Sequence, residues 1–344
     1  MNITAVGIDL AKNVFHVHGV DERGGVVIKK KLNRNQILDF VRNLPQTLIG
    51  LEACGGAHYW GREFRACGHE VRMMAPQFVK PYVKANKNDM ADAEAICEAV
   101  TRPNMRFVGI KEVEQQEVLM IHRIRSRLVR QRTALSNEIR GLLMEFGVTI
   151  PQGIWSVKKF LKEEEFECKG KVTAFAVRAF KELKEEFFEI NRRVEGHDKT
   201  INQMAKSHPI CVQLMTIPGV GPITATAAMA SVGEAKHFKN GRQFAAWLGL
   251  VPRQNSTGGK QRLLGISKRG DKYLRALLIH GARAVSRYAT AKTDRLSVWV
   301  AKLMEKKGVN KASVAYANKI ARAMWVILSG KDNAYKTFEV VQSS

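Results

Sequence analysis

Three strand-like runs follow one another at the start of this chain, and they constrain the fold more than any other feature. ITAVGIDLA (3–11), VFHVHGV (14–20) and GVVIKKKL (25–32) are joined by short turns. The pattern then changes. NRNQILDFVRNL (33–44) has helical spacing, with Ile37, Phe40, Val41 and Leu44 on one side. TLIGLEACG (47–55) reads as a buried strand, AHYWGREFRACG (57–68) as a helix closed by Gly68, and EVRMMAP (70–76) as a strand stopped by Pro76. DMADAEAICEAV (89–100) reads as a further helix.

Three strands and then β-α-β-α is the order of a ribonuclease-H-like sheet, in which the ends of strands one and four lie side by side; at this point the fold is an analogy. Asp9, in GIDLAK, closes the first strand, and Glu52, in LEACGG, closes the fourth. Each acid ends an apolar run, where an uncompensated charge is expensive. Asp89 and Asp92, three residues apart, share one face of the helix that follows a lysine-rich stretch. On this fold all four carboxylates converge at one end of the sheet, where their repulsion calls for divalent cations between them. Hard oxygen donors favour Mg2+ or Mn2+, and two such ions about 3.5–4 Å apart would clamp the attacking and leaving oxygens of a phosphodiester. Each acid also has a plainer use: a strand-end Asp forms turns, and the 89/92 pair suits a helix N-terminus.

Beyond residue 105 the chain reads as helical. Ile121, Leu128, Leu135 and Leu142 recur every seven residues, as do Phe180, Phe187, Val194 and Ile201, on either side of a Gly/Pro-containing break at 147–170. Such heptads suggest a coiled coil, antiparallel within the chain or shared between chains, or an ordinary helical hairpin. From about 210, short helices alternate with Gly-rich turns. TIPGVGPITA (216–225) resembles a helix-hairpin-helix turn, RQNSTGGKQR (253–262) reads as a loop, and GDKYLRALLIHGARAV (270–285) as a basic amphipathic helix. Two more helices follow, at roughly 293–307 and 310–329.

Charge is distributed unevenly along these segments. The net charge is +24, and residues 207–344 carry 22 Lys and Arg against 6 Asp and Glu, whereas residues 1–100 carry 13 against 11. That concentration is the footprint of a polyanion binder, because neutralised phosphates release counterions. Candidate phosphate contacts are Arg253, Lys260, Arg262, Lys268, Arg269, Lys272 and Arg275, with the cluster Arg123, Arg125, Arg127, Arg130 and Arg132. The latter five also suit the solvated face of a coiled coil. Five cysteines at 54, 67, 97, 168 and 211 form no metal-like spacing and fit buried thiols in a reducing cytoplasm. The longest apolar run, ITATAAMASV (223–232), is too short for a bilayer, and MNITAVGIDL lacks the marks of a secretory leader.

GIDLAKNVF, LEACGGAHYW and NKNDMADAEAI resemble the DEDD domain of insertion-sequence transposases, a family that includes the Piv-type DNA invertases and the bridge-RNA-guided recombinases. The stretch from IPGVGPITATAAMASVG through GDKYLR resembles that family's C-terminal transposase domain. The resemblance spans nearly the whole chain and is weaker in the helical middle and the last dozen residues. It implies an N-terminal ribonuclease-H-like, RuvC-like domain at 1–105, a helical coiled-coil linker and oligomerisation region at 106–206, and a small basic helical domain at 207–335. It places Asp9, Glu52, Asp89 and Asp92 at the metal-binding positions and Ser256 at the nucleophile position, with Thr257 its neighbour. It implies a cytoplasmic, nucleoid-associated bacterial DNA recombinase that works as a dimer or tetramer. The implied partners are Mg2+ or Mn2+, donor and target DNA, and a structured non-coding RNA from the element.

Taken from the residues alone, Ser256 lies in an ordinary Ser-Thr-Gly-Gly turn. Arg253, Lys260 and Arg262 are near enough in sequence to stabilise a transferring phosphoryl group, but no His or carboxylate beside them takes a serine proton. The expectation is therefore a composite site, within one chain or between subunits, in which the acidic cluster supplies that activation. A junction nuclease would use the same acids with water as the nucleophile. A sugar kinase or related ATPase would need a second phosphate-binding loop, and the sequence has none. A purely architectural nucleic-acid binder would leave Asp9 and Glu52 without a purpose.

Overall fold

Period-two alternation builds the N-terminal strands into a sheet with two differently furnished faces. In the computed structural model, which describes residues 2–84, 88–163 and 172–335, the chain divides into two compact units, 1–113 and 114–344. The first contains β1 (Ile3–Leu10), β2 (Val14–Asp21), β3 (Val26–Asn33), α1 (Ile37–Arg42), β4 (Leu48–Glu52), α2 (Ala57–Ala66), β5 (Glu70–Met74), α3 (Pro76–Val79), α4 (Asp89–Val100) and β6 (Phe107–Val108). The sheet order is β3-β2-β1-β4-β5-β6. β1 pairs antiparallel with β2 and parallel with β4, so the ends of the first and fourth strands do lie side by side. This mixed α/β arrangement is consistent with the ribonuclease-H-like order read from the sequence. The edge strand β6, antiparallel to β5, is only two residues long and leaves no run to read.

Alternate strand residues point to opposite faces. Val6, Ile8, Phe15, Val17, Ile49, Leu51, Val71 and Met73 share one core with Ile37 and Val41 of α1 and with Trp60 and Phe64 of α2. On the opposite face Ala5 and Met74 pack with Ala95, Ile96, Ala99 and Val100 of α4. This second face also carries Gly7 and Gly50, and there α4 comes down onto bare backbone. A Cβ on Gly7 would stand 2.3 Å from the Ala93 carbonyl oxygen and 2.4 Å from the Cys97 nitrogen. One on Gly50 would stand 2.8 Å from Val100 Cβ. Asn88 caps the helix, its side chain accepting from the Met90 N–H at 2.8 Å, which fixes the first turn and the two acids it carries.

The second unit contains α5 (Val113–Glu145), α6 (Ile154–Lys162), α7 (Ala174–Ser207), α8 (Pro209–Met215), α9 (Pro222–Val232), α10 (Gly241–Trp247), β7 (Pro252–Gln254), β8 (Leu263–Ile266), α11 (Lys272–Ser286), α12 (Arg295–Lys307) and α13 (Val309–Leu328). The long helices α5 and α7 run antiparallel within the chain: Arg125 pairs with Asp198, and one heptad on Arg132 donates to Asn191 at 2.8 Å. Leu128, Leu135, Ile139 and Leu143 meet Phe180, Phe187, Ile190 and Val194. The heptad fails at its end, where Leu142 is exposed and Ile139 and Leu143 are buried instead; a straight helix drifts about 20° per heptad from a 3.5 repeat. The Gly/Pro break contains α6, and its residues 164–171 lie outside the described residues. The C-terminal helices close over a separate core, tied by Tyr316 donating to the Pro218 carbonyl at 2.7 Å and Trp325 to that of Phe238 at 3.1 Å. No described helix is long and apolar enough to cross a membrane.

Two expectations are corrected. RQNSTGGKQR is not a plain loop between helices: it connects β7 and β8 as an antiparallel hairpin. Lys260 N–H donates to the Thr257 carbonyl at 3.1 Å, and Gly258 and Gly259 take φ of +56° and +77°, the two left-handed positions of a type I′ turn. The cysteines are not uniformly buried. Cys97 and Cys211 are, with thiols that burial pushes up to about 11, but Cys67 is half-buried and Cys54 exposed. All four are free, and Cys168 lies outside the described residues.

The seating of α4 makes a test with an internal control. Gly7→Ala is expected to destabilise the protein by about 1–3 kcal/mol, since backbone has to move. Gly196→Ala, in α7 where an added Cβ meets nothing within 4 Å, is expected to stabilise by about 1 kcal/mol. Denaturant melts of the two variants give both values, and equal effects would contradict the seating.

Candidate active site

Two strand ends and one helix start deliver the predicted acids. Asp9 stands at the end of β1, Glu52 ends β4 one step past the Ile8–Leu51 pair, and Asp89 and Asp92 occupy the first turn of α4. Asp9, Asp89 and Asp92 each place a carboxylate oxygen within 4.8 Å of the others. Glu52 is half-exposed and stands outside that close trio. It is nonetheless near: the Cys54 thiol is pushed above its usual value first by burial and then by the charges of Asp9 and Glu52.

Electrostatics in the trio are unfavourable to its own charge. The Asp9 carboxyl is held above the usual range, first by partial burial and then by Asp92 and Asp89, while His16 and a backbone hydrogen bond at Leu10 act the other way. Three carboxylates this close, Asp9 and Asp92 half-buried and Asp89 exposed, are a donor set suited to a hard divalent cation. Sequence reasoning passed over His16. The β1–β2 register sets it directly opposite Asp9, and its Nδ1 lies 3.9 Å from Asp89 Oδ2. The period-two spacing of VFHVHGV was the signal, but it speaks only once the register is known.

Ser256 sits at the tip of the β7–β8 hairpin, exposed, its Oγ accepting from Gln254 Nε2 at 2.8 Å. Arg253, Lys260, Arg262, Lys268, Arg269 and Lys272 are exposed on or beside this hairpin. Arg275 is not: it is 7% exposed and donates to the Leu248 and Arg269 carbonyls at 2.9 and 2.7 Å. It clamps the chain, and a phosphate has no access to it. On α5, Arg123, Arg127 and Arg130 are exposed, whereas Arg125 and Arg132 are half-buried and engaged with Asp198 and Asn191. Beside them, His122 is buried between Tyr273 and Thr226, each 3.0 Å from a ring nitrogen. Burial and then Arg125 push its pKa down to about 4, so it is a neutral packing element.

Two family models match the chain. Residues 6–148 match a DEDD transposase model described as "Transposase", and residues 211–296 one described as "Transposase IS116/IS110/IS902 family". The chain is 50% identical over 337 residues to a probable family 20 transposase of Pseudomonas aeruginosa, covering 98% of this chain and 99% of that one. It is 44% identical to the transposase for insertion sequence element IS1111A of Coxiella burnetii, covering 96% and 91%. A more distant match is the pilin gene-inverting protein of Moraxella bovis, 33% identical over 109 residues, 30% of this chain and 31% of that one.

The raised Asp9 has a consequence for stability. A carboxyl whose folded pKa lies above its unfolded value favours the fold when protonated, and that contribution is lost as pH rises through the folded value. At neutral pH without divalent cations, Asp9→Asn is therefore expected to melt a few degrees above the parent. The gap should close as pH falls through the Asp9 titration. A variant that melts lower at pH 7 would contradict the crowding of charge at this site.

Proposed function

Since this chain belongs to the IS116/IS110/IS902 family of insertion-sequence transposases, enzymes that act on DNA, we propose that it moves its element by conservative phosphoryl transfer through Ser256. The observation that carries the proposal is the convergence of Asp9, Asp89 and Asp92 around a carboxyl that burial and its neighbours make reluctant to ionise. The family implies dependence on a divalent cation, and these three residues with Glu52 are the ones that would hold it, with Mg2+ or Mn2+ the ions their oxygens favour. Bound there, such an ion supplies Lewis-acid polarisation of a phosphoryl oxygen.

The chain's own part of the reaction is as follows. Ser256 Oγ attacks a phosphorus of the DNA; the Oγ–P bond forms as the bond from phosphorus to a deoxyribose oxygen breaks, and the proton given up by the serine balances the one gained by the leaving oxygen. A deoxyribose oxygen of a second strand then attacks the phosphoserine, frees the serine and restores the number of phosphodiesters. The exposed hairpin tip suits a nucleophile that has to reach into a duplex. Arg253, Lys260 and Arg262 around it supply cations for the transferring phosphoryl group. The likeness to a pilin gene-inverting protein favours exchange of strands over simple cutting.

Lys268, Arg269, Lys272, Arg123, Arg127 and Arg130 would position donor and target DNA through phosphates, contacts that hold without reading sequence. Sequence choice is assigned to a structured non-coding RNA from the element, which the surplus of basic residues in 207–344 suits equally well. The three-part division at 1–105, 106–206 and 207–335, and assembly as a dimer or tetramer, belong to the same proposal. One observation favours a second reading: Ser256 Oγ accepts a hydrogen bond from Gln254, and no carboxylate or imidazole lies within the hairpin sequence to receive its proton. A junction nuclease that used water would not need one.

One experiment separates the two. Full-length protein incubated with the element's flanking DNA, its transcribed RNA and Mg2+ is expected to form a DNA adduct that survives denaturing electrophoresis and maps to Ser256. Ser256→Ala should abolish the adduct and recombination while DNA and RNA binding persist. Cleavage that continues in Ser256→Ala would establish the water-using nuclease instead.

A further inference from the structure

We infer that His16 donates its Nδ1 to the divalent cation of the acidic cluster, which makes the site one of mixed nitrogen and oxygen donors; the inference rests on the cation reading given above. Its position comes from the strand register. His16 lies opposite Asp9 across β1 and β2, so both side chains project from the α4 face of the sheet, where the first turn of α4 brings Asp89. Its side chain is 12% exposed, and Nδ1 is buried with no hydrogen-bond partner among the described residues. A buried polar atom in that condition calls for an explanation.

Asp89 does not provide one directly. The 3.9 Å between Nδ1 and Asp89 Oδ2 is too long for a hydrogen bond. It is within the roughly 4.2 Å that separates two donors on opposite sides of one cation when each bond is about 2.1 Å. Nδ1 stands outside the 4.8 Å grouping of the three carboxylates, so the imidazole has to turn toward Asp9 and Asp92 when the cation binds. His18 serves as the comparison. Its Nδ1 is also buried with no partner among the described residues, and the residue is more deeply buried, but it stands opposite Gly7, two residues further from the strand end. What distinguishes His16 from His18 is its place beside Asp89 and across from Asp9. Imidazole is a better donor to transition metals than to Mg2+, so this site should bind Mn2+ in preference to Mg2+.

Pulsed electron paramagnetic resonance of the full chain loaded with Mn2+ alone tests this without any measure of activity. The parent is expected to show nitrogen modulation from a directly bonded imidazole, and growth on 15N-histidine should convert the 14N pattern to a 15N one. That isotope arm needs no variant and so does not depend on how a mutant folds. His16→Ala is expected to lose the modulation and to weaken Mn2+ binding roughly 10-fold, while His18→Ala keeps both. Bound Mn2+ without nitrogen modulation in the parent, or modulation that persists in His16→Ala, would overturn the assignment and leave the carboxylate site standing. A parent that binds no Mn2+ would overturn the cation reading and this inference with it.

Discussion

Helix α4 lies against β1 with no side chain between them at Gly7, where one methyl group would meet the Ala93 carbonyl at 2.3 Å. That contact sets the depth at which the helix sits, and the depth decides where its first turn falls. Gly50 grants the same approach on β4. With the helix seated on two bare strands and its start fixed by Asn88, Asp89 and Asp92 arrive beside Asp9. A larger residue at Gly7 would lift the helix, and the acids would separate by the same shift. The site thus depends on van der Waals exclusion, and the chemistry of its carboxylates follows from it.

The opposite face of the sheet bears the structural load. Its core of Val6, Ile8, Phe15, Val17, Ile49 and Leu51 packed on Trp60 and Phe64 draws on β1 and β4, the two strands that present Asp9 and Glu52 on the other side. Within β1, Val6 and Ile8 stabilise this core while Asp9, on the other face, carries a crowded charge. Carboxylates held close enough to raise the proton affinity of Asp9 cost stability in the absence of a counter-charge, a pattern common where function and fold compete.

Much of this could be read in the sequence, for local reasons. Strand runs, helix periodicity and acids at the ends of apolar runs are encoded within a few residues, and they placed Asp9, Glu52, Asp89 and Asp92 at one sheet end. What stayed hidden depends on partners distant in the chain. Arg275 looked like one more surface cation until its acceptors proved to be the Leu248 and Arg269 carbonyls. Arg125 and Arg132 looked free because Asp198 and Asn191 lie a helix away. The β7–β8 hairpin has strands of only three and four residues, β7 exposed throughout and β8 half-buried at alternate positions, too short a run to read, so only its Gly-Gly turn announces it. His16 needed the strand register, and Leu142 was misplaced because a strict heptad ignores the drift of a straight helix.

The second unit distributes its charge differently from the first. The basic residues on and beside its β7–β8 hairpin, Arg253, Lys260, Arg262, Lys268, Arg269 and Lys272, are exposed, as is Ser256, while the first unit gathers Asp9, Asp89 and Asp92 into one cluster. The central claim is that α4, seated on Gly7, assembles a cation site from Asp9, Asp89 and Asp92. An anomalous difference map from crystals of the full chain soaked in Mn2+ measures this directly. The account predicts a manganese peak bounded by those three carboxylates; side chains turned apart, with the metal absent or bound elsewhere, would contradict it.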